Sequence, residues 1–188
     1  MKIRLTEGHI YRDETGKVWP GVTSILTDVG LIDSKWFDEY SRDRGTMVHW
    51  ACALYDHGVL NMDTLDPVLL PYVQGWIRFR EESGFIPELI EEVVWNETYR
   101  YAGTLDRTGT MNDRAVLIDL KSGLAQTWSH LQTAAYAACL PEPYLRYVVE
   151  LNSYGNYKLS EHKDRKDFGV FLAALTLRNW KHNTGGLK

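Results

Sequence analysis

Two stretches decide the fold: Tyr101-Ala102-Gly103-Thr104-Leu105-Asp106 and, thirteen positions beyond that aspartate, the end of Arg114-Ala115-Val116-Leu117-Ile118-Asp119-Leu120-Lys121. The run Ala115 to Ile118 is apolar enough to be a central strand covered on both faces, yet it ends on a carboxylate and an ammonium. Residues two apart in a strand share a face, so Asp119 and Lys121 project into one space while Leu120 points the other way. Taken alone, the two read equally well as a strand-end ion pair. A short turn at Asn112-Asp113 makes the two stretches antiparallel neighbours and brings Asp106 near Asp119. Two facing carboxylates repel unless a cation lies between them, and hard oxygen ligands suit Mg²⁺ or Mn²⁺. On that repulsion alone, neutralising Asp106 should preserve or raise the stability of the metal-free protein.

The period of the pattern changes on either side. Upstream, Leu89 to Trp95 is a third β-rich stretch, opened by Glu91 and Glu92, either of which could add an outer ligand; Glu92 is taken as the supporting acid. Asp66-Pro67 predicts a helix start and Ser83-Gly84 its end. From Ser34 to about His57 apolar residues such as Trp36, Phe37, Val48 and Leu54 recur at helical steps with an interruption near Gly45, which predicts two helices or one bent one. Val22 to Leu26 predicts a short helix, and Ile10-Tyr11 with Lys17-Val18-Trp19 an N-terminal hairpin. Downstream, Trp128 to Leu140 is a helix stopped by Pro141 and Pro143, Tyr144 to Asn152 a strand, and Asp167 to Lys181 a final helix. The fold class is therefore mixed α/β (α+β), a central mixed sheet flanked by helices. The expected division is a hairpin over 1–21, a helical segment over 22–85, a β-β-β-α-β core over 86–160 and a C-terminal helix over 161–188, all in a single domain.

Composition narrows the function classes. With 44% apolar and 12% aromatic residues the chain can fill a core, which excludes disorder. With 21 basic against 25 acidic residues the net charge is −4, so contact with nucleic acid must be local or bridged by metal. The two cysteines, Cys52 and Cys139, exclude a disulfide scaffold, a four-cysteine zinc site and a cysteine-ligated iron–sulfur cluster. No apolar run is long enough to cross a membrane and the first residues lack a secretion signal, so a cytoplasmic protein is expected. Three further acid-x-Lys triplets, Asp33-Ser34-Lys35, Glu161-His162-Lys163 and Asp164-Arg165-Lys166, lie in polar surroundings and read as solvated charge. No phosphate-binding G-x-x-x-x-G-K motif is present, so any motor would be on another chain.

Gly103-Thr104-Leu105-Asp106, then Asp119-Leu120-Lys121, then Gln132-Thr133-Ala134-Ala135-Tyr136 resemble the successive motifs of the PD-(D/E)XK nuclease superfamily in its RecB-like, phage-type exonuclease branch. Arg44-Gly45-Thr46-Met47-Val48-His49 is similar to the helix that supplies a metal-facing histidine there, and Gly21 to Leu26 resembles a short segment near its start. The likeness spans roughly residues 20 to 160. Lys121 is paired with Asp where Glu is commoner, and the cluster-binding cysteines of some relatives are missing, so a cluster-free branch is implied. The resemblance implies a restriction-endonuclease-like core and a metal-dependent DNA nuclease, an exonuclease of recombination, repair or phage DNA processing in a bacterial or phage-infected cell. It implies Mg²⁺ or Mn²⁺ held by His49, Asp106, Asp119 and the carbonyl of Leu120, with Asp106, Asp119 and Lys121 catalytic. Gln132 and Tyr136, i and i+4 on one helix face, would touch DNA or support the lysine. The implied partners are DNA, single-stranded or with a free end, and a separate helicase or recombinase. The alternatives are a silent nucleic-acid-binding or scaffold protein on the same fold, or a structure- or site-specific endonuclease.

Overall fold

The computed structural model describes residues 1–33 and 39–185. Strands β1 (Ile3–Thr6), β2 (Ile10–Asp13) and β3 (Val18–Trp19) form a small antiparallel sheet, so the expected hairpin carries one extra strand on its outer side. The second sheet holds β4 (Ile86–Asn96), β5 (Tyr101–Met111), β6 (Arg114–Lys121), β7 (Leu145–Leu151) and β8 (Tyr157–Glu161) in that order. β6 and β7 are parallel and the other neighbours antiparallel, with α4 (Ser129–Ala137) as the crossover that a parallel pair requires. This is the mixed sheet flanked by helices that the sequence predicts.

Both faces of β6 are covered, which is why its run is continuously apolar. Val116, Ile118 and Leu120 pack with α2 (Glu39–Asp56) and α3 (Leu70–Ser83), around Val48, Cys52, Val73, Trp76 and Phe79. Leu117 faces the other way, into a cluster with α1 (Val22–Asp28), α4 and α5 (Asp167–Asn183). The hairpin sheet is fastened beside β5 by a smaller cluster of Ile3, Tyr11, Trp19 and Ala102, and by Tyr11 Oη at 3.0 Å from Thr104 Oγ1. Among the described residues no helix is long and apolar enough to cross a membrane.

Several elements depart from expectation for local reasons. α2 runs unbroken through Gly45; a β-carbon there would stand 3.3 Å from Ser122 Oγ, so this glycine allows a close approach to the end of β6 and does not break the helix. Trp36 and Phe37, expected on this helical stretch, lie outside the described residues, as does Ser34-Lys35. α3 starts four residues later than Asp66, whose Oδ1 accepts the Val68 N–H at 2.8 Å in a preceding turn, and Pro71 occupies the first helical turn instead. Strand β8 adds an edge that its mixed polar sequence does not announce.

Candidate metal centre

The β5–β6 ladder runs from Met111↔Arg114 to Arg107↔Ile118 and stops there, so Asp106 and Asp119 are the next positions across the opening. In place of a strand partner, Asp106 Oδ2 accepts the Leu120 N–H at 2.6 Å. The other oxygen, Oδ1, faces α2, where His49 Nδ1 lies 3.4 Å away. Glu91 Oε1, from β4, lies 3.6 Å from the same Nδ1. His49, Glu91 and Asp106 thus offer three ligand atoms within 4.8 Å of one another.

Glu91 reaches this cluster through an irregular backbone. Its φ of 51° lies in the left-handed region, in the middle of a strand, which costs about 1–2 kcal/mol for a residue with a β-carbon. The strain is offset by Arg107 Nη1, which donates to Glu91 Oε1 at 2.8 Å. Glu92, the acid chosen from sequence, is exposed and pairs through its backbone with Leu105. The structure brings Glu91 to the cluster, not Glu92.

Asp119 and Lys121 stand on the α4 side of β6. Lys121 Nζ donates to Asp119 Oδ1 at 3.0 Å and to Gln132 Oε1 at 3.0 Å, and Gln132 Nε2 donates to Tyr136 Oη at 3.1 Å. The four residues form one buried or half-buried relay from strand to helix, with Trp128 closing over the ammonium at 5.2 Å. Gly103 makes room for Tyr136: a β-carbon there would come 2.5 Å from the phenol ring. Gln132 and Tyr136 therefore meet as the i, i+4 pair that the sequence predicts. The side chain of Leu120 points into the opposite core.

Charges interact strongly here. Burial disfavours the imidazolium of His49, but the carboxylates of Asp106 and then Glu91 outweigh it and raise its pKa to about 10. Burial likewise works against ionised Asp106, yet His49, Lys121 and the Leu120 N–H hold its carboxyl below the usual range. Asp119 goes the other way: burial first, then the charge of Asp106, lift it above the ordinary carboxylate range although Lys121 pulls it down. Its Oδ2, 2.8 Å from Lys121 Nζ but out of hydrogen-bond alignment, is buried and has no hydrogen-bond partner among the described residues. The carboxylates of Glu91 and Asp106 gathered around the His49 imidazolium fit a divalent cation, since the donors are oxygen and imidazole nitrogen; Asp119, ion-paired with Lys121, is not among those three residues.

No family model matches the chain, and no curated protein matches it. Among solved structures it is similar to an alkaline exonuclease (LHK-Exo) from Laribacter hongkongensis, at 16% sequence identity and a TM-score of 0.37, over 89% of this chain and 94% of that one. The same exonuclease in complex with dAMP gives 16% identity and a TM-score of 0.37 over 90% of this chain and 95% of that one.

Proposed function

We propose that this protein is a metal-dependent DNA nuclease that hydrolyses phosphodiester bonds, acting as an exonuclease on DNA with a free end. The observation that carries the reading is the His49–Glu91–Asp106 cluster lying beside the Asp119–Lys121 pair, because metal-assisted phosphodiester hydrolysis uses a cation site with a fixed positive charge next to it. His49, Glu91, Asp106, Asp119 and the carbonyl of Leu120 would hold Mg²⁺ or Mn²⁺. Such an ion, when bound, lowers the pKa of a water and neutralises charge on the scissile phosphate.

The remaining work belongs to the protein's own groups. Lys121, tethered by Asp119 and Gln132, presents its ammonium where an oxyanion develops or where the attacking water must be oriented. Gln132 fixes that ammonium and is itself fixed by Tyr136, whose phenol is kept protonated by burial and by the charges of Asp106 and Asp119. His49 would have to give up its proton to serve as a ligand to such an ion. The chain would act as one nuclease domain, in the cytoplasm of a bacterial or phage-infected cell.

The test is a comparison of linear and covalently closed circular DNA, single- and double-stranded, under Mg²⁺. The reading predicts that linear DNA is degraded to mono- or short oligonucleotides while circles of the same sequence survive. Rapid linearisation of circles would replace exonuclease with endonuclease.

A further inference from the structure

Arg107 is fully buried, and nothing in the nuclease reading uses it. A guanidinium is taken out of water only where its donors are met. Here Nε donates to Asp56 Oδ2 at 2.6 Å, Nη1 to Glu91 Oε1 at 2.8 Å and to the Asp106 carbonyl at 2.6 Å, and Nη2 to the His49 carbonyl at 3.5 Å. All three residues of the candidate cation cluster touch this one side chain: Glu91 by its carboxylate, Asp106 and His49 by their main chains.

Resting on the nuclease reading, we propose that Arg107, anchored by Asp56, is the positioning residue of the metal centre. It ties β4, β5 and α2 together at the point where their ligands converge. Asp56 is suited to the anchor because it is itself immobile: its side chain is fully buried, and Oδ1 accepts from Trp76 Nε1 at 2.9 Å and from Arg80 Nη1 at 2.8 Å. The Trp76 ring lies 5.7 Å from the Arg107 guanidinium carbon and closes that side. The geometry calls for arginine. Asp56 and Glu91 sit on different edges of the planar fork, and a lysine ammonium is a compact point donor without the rigid fork that addresses both. Arg107 also explains how Glu91 is kept in its left-handed conformation facing the cluster, since this bond rewards that backbone.

A residue that merely glued the fold together would alter stability and leave the cation site of the folded protein untouched. The experiment is calorimetric titration of metal-free full-length protein with Mn²⁺, alongside thermal melts. Arg107→Lys keeps the charge and loses the fork; Asp56→Asn touches no candidate ligand and reaches the cluster through Arg107, while also weakening the contacts with Trp76 and Arg80. Both should weaken Mn²⁺ binding about 10- to 100-fold, as loss of outer partners does at metal sites. Phe171→Leu thins the packing of the opposite core cluster and touches neither Arg107, Asp56 nor a candidate ligand, so it should lower the melting temperature while Mn²⁺ affinity stays unchanged. If Arg107 works through Glu91, Arg107→Lys added to Glu91→Gln should weaken binding no further. Folded Arg107→Lys and Asp56→Asn proteins that bind Mn²⁺ like the wild type would overturn the proposal. So would affinity losses that track melting temperature across all variants, Phe171→Leu included. Should Arg107→Lys fail to fold, Asp56→Asn decides alone. A wild-type protein that takes up no Mn²⁺ overturns the nuclease reading itself, and the role of Arg107 with it.

Discussion

Asp106 Oδ2 accepts the Leu120 N–H at 2.6 Å just beyond the last paired residues of β5 and β6, Arg107 and Ile118. A carboxylate of the candidate metal centre is thereby also a strand cap. Its pKa is held down in the folded protein, so it contributes stability above the ordinary carboxylate range that is lost as pH falls through the lowered value.

Asp106→Asn should therefore lower the stability of the metal-free protein, by about 1–2 kcal/mol at neutral pH, since a charge-assisted hydrogen bond and the pairing with His49 are lost. This reverses the expectation drawn from carboxylate repulsion alone, which ignored the backbone N–H and the histidine. Calorimetric melts in chelator check it, and an unchanged or higher melting temperature would restore the simpler repulsion argument.

His49→Ala should reduce nuclease activity much less than Asp119→Ala, by weakening metal affinity, with higher Mn²⁺ partly restoring the rate. His49 lies at the cluster's α2 edge, whereas Asp119 holds Lys121 and, in the proposed reading, would be a metal ligand as well. The rate is measured against Mn²⁺ concentration, and a His49→Ala enzyme indistinguishable from wild type at limiting metal would return this residue to packing.

His162 gives a pH dependence away from the metal centre. Its buried ring stacks on His130 with centroids 3.6 Å apart, and its Nδ1 lies 3.0 Å from Thr133 Oγ1. Burial first, then His130 and Arg146, with a smaller push from Lys121, lower its pKa to about 4 against the pull of Asp167. An unfolded histidine titrates near 6.5, so between about pH 6.5 and 4 the unfolded chain holds a proton that the native one does not. Stability from this group is complete above that window and is lost as pH falls through it. Wild-type melting temperature should drop between pH 7 and pH 5, and His162→Gln should drop less; equal drops would show that other groups set the acid limit.

How far the chain could be read without its structure follows from where its signals are local. Ala115 to Ile118, apolar on both faces and ending in Asp119 and Lys121, is legible because strand alternation is a property of neighbours in sequence. So is the meeting of Gln132 and Tyr136, one helical turn apart. Glu91 was not separable from Glu92, because an acidic doublet carries no mark of the left-handed backbone that turns one of them inward. Asp56 and Arg107 were silent as well: they are far apart in the chain, and their burial exists only once α2 and α3 close over the sheet. Gly45, read as an interruption, is a contact point whose partner lies on the loop after β6.

The central claim, that Asp119 and Lys121 belong to a metal-dependent nuclease site, is tested most directly by release of acid-soluble nucleotides from linear DNA by folded wild-type, Asp119→Ala and Lys121→Ala proteins, with Mg²⁺ and with chelator. Release by the wild type under Mg²⁺, none in chelator and none by either folded variant is the predicted result. Mg²⁺-dependent release that survives in folded Asp119→Ala, or no release by the wild type with Mg²⁺ or Mn²⁺, would contradict it.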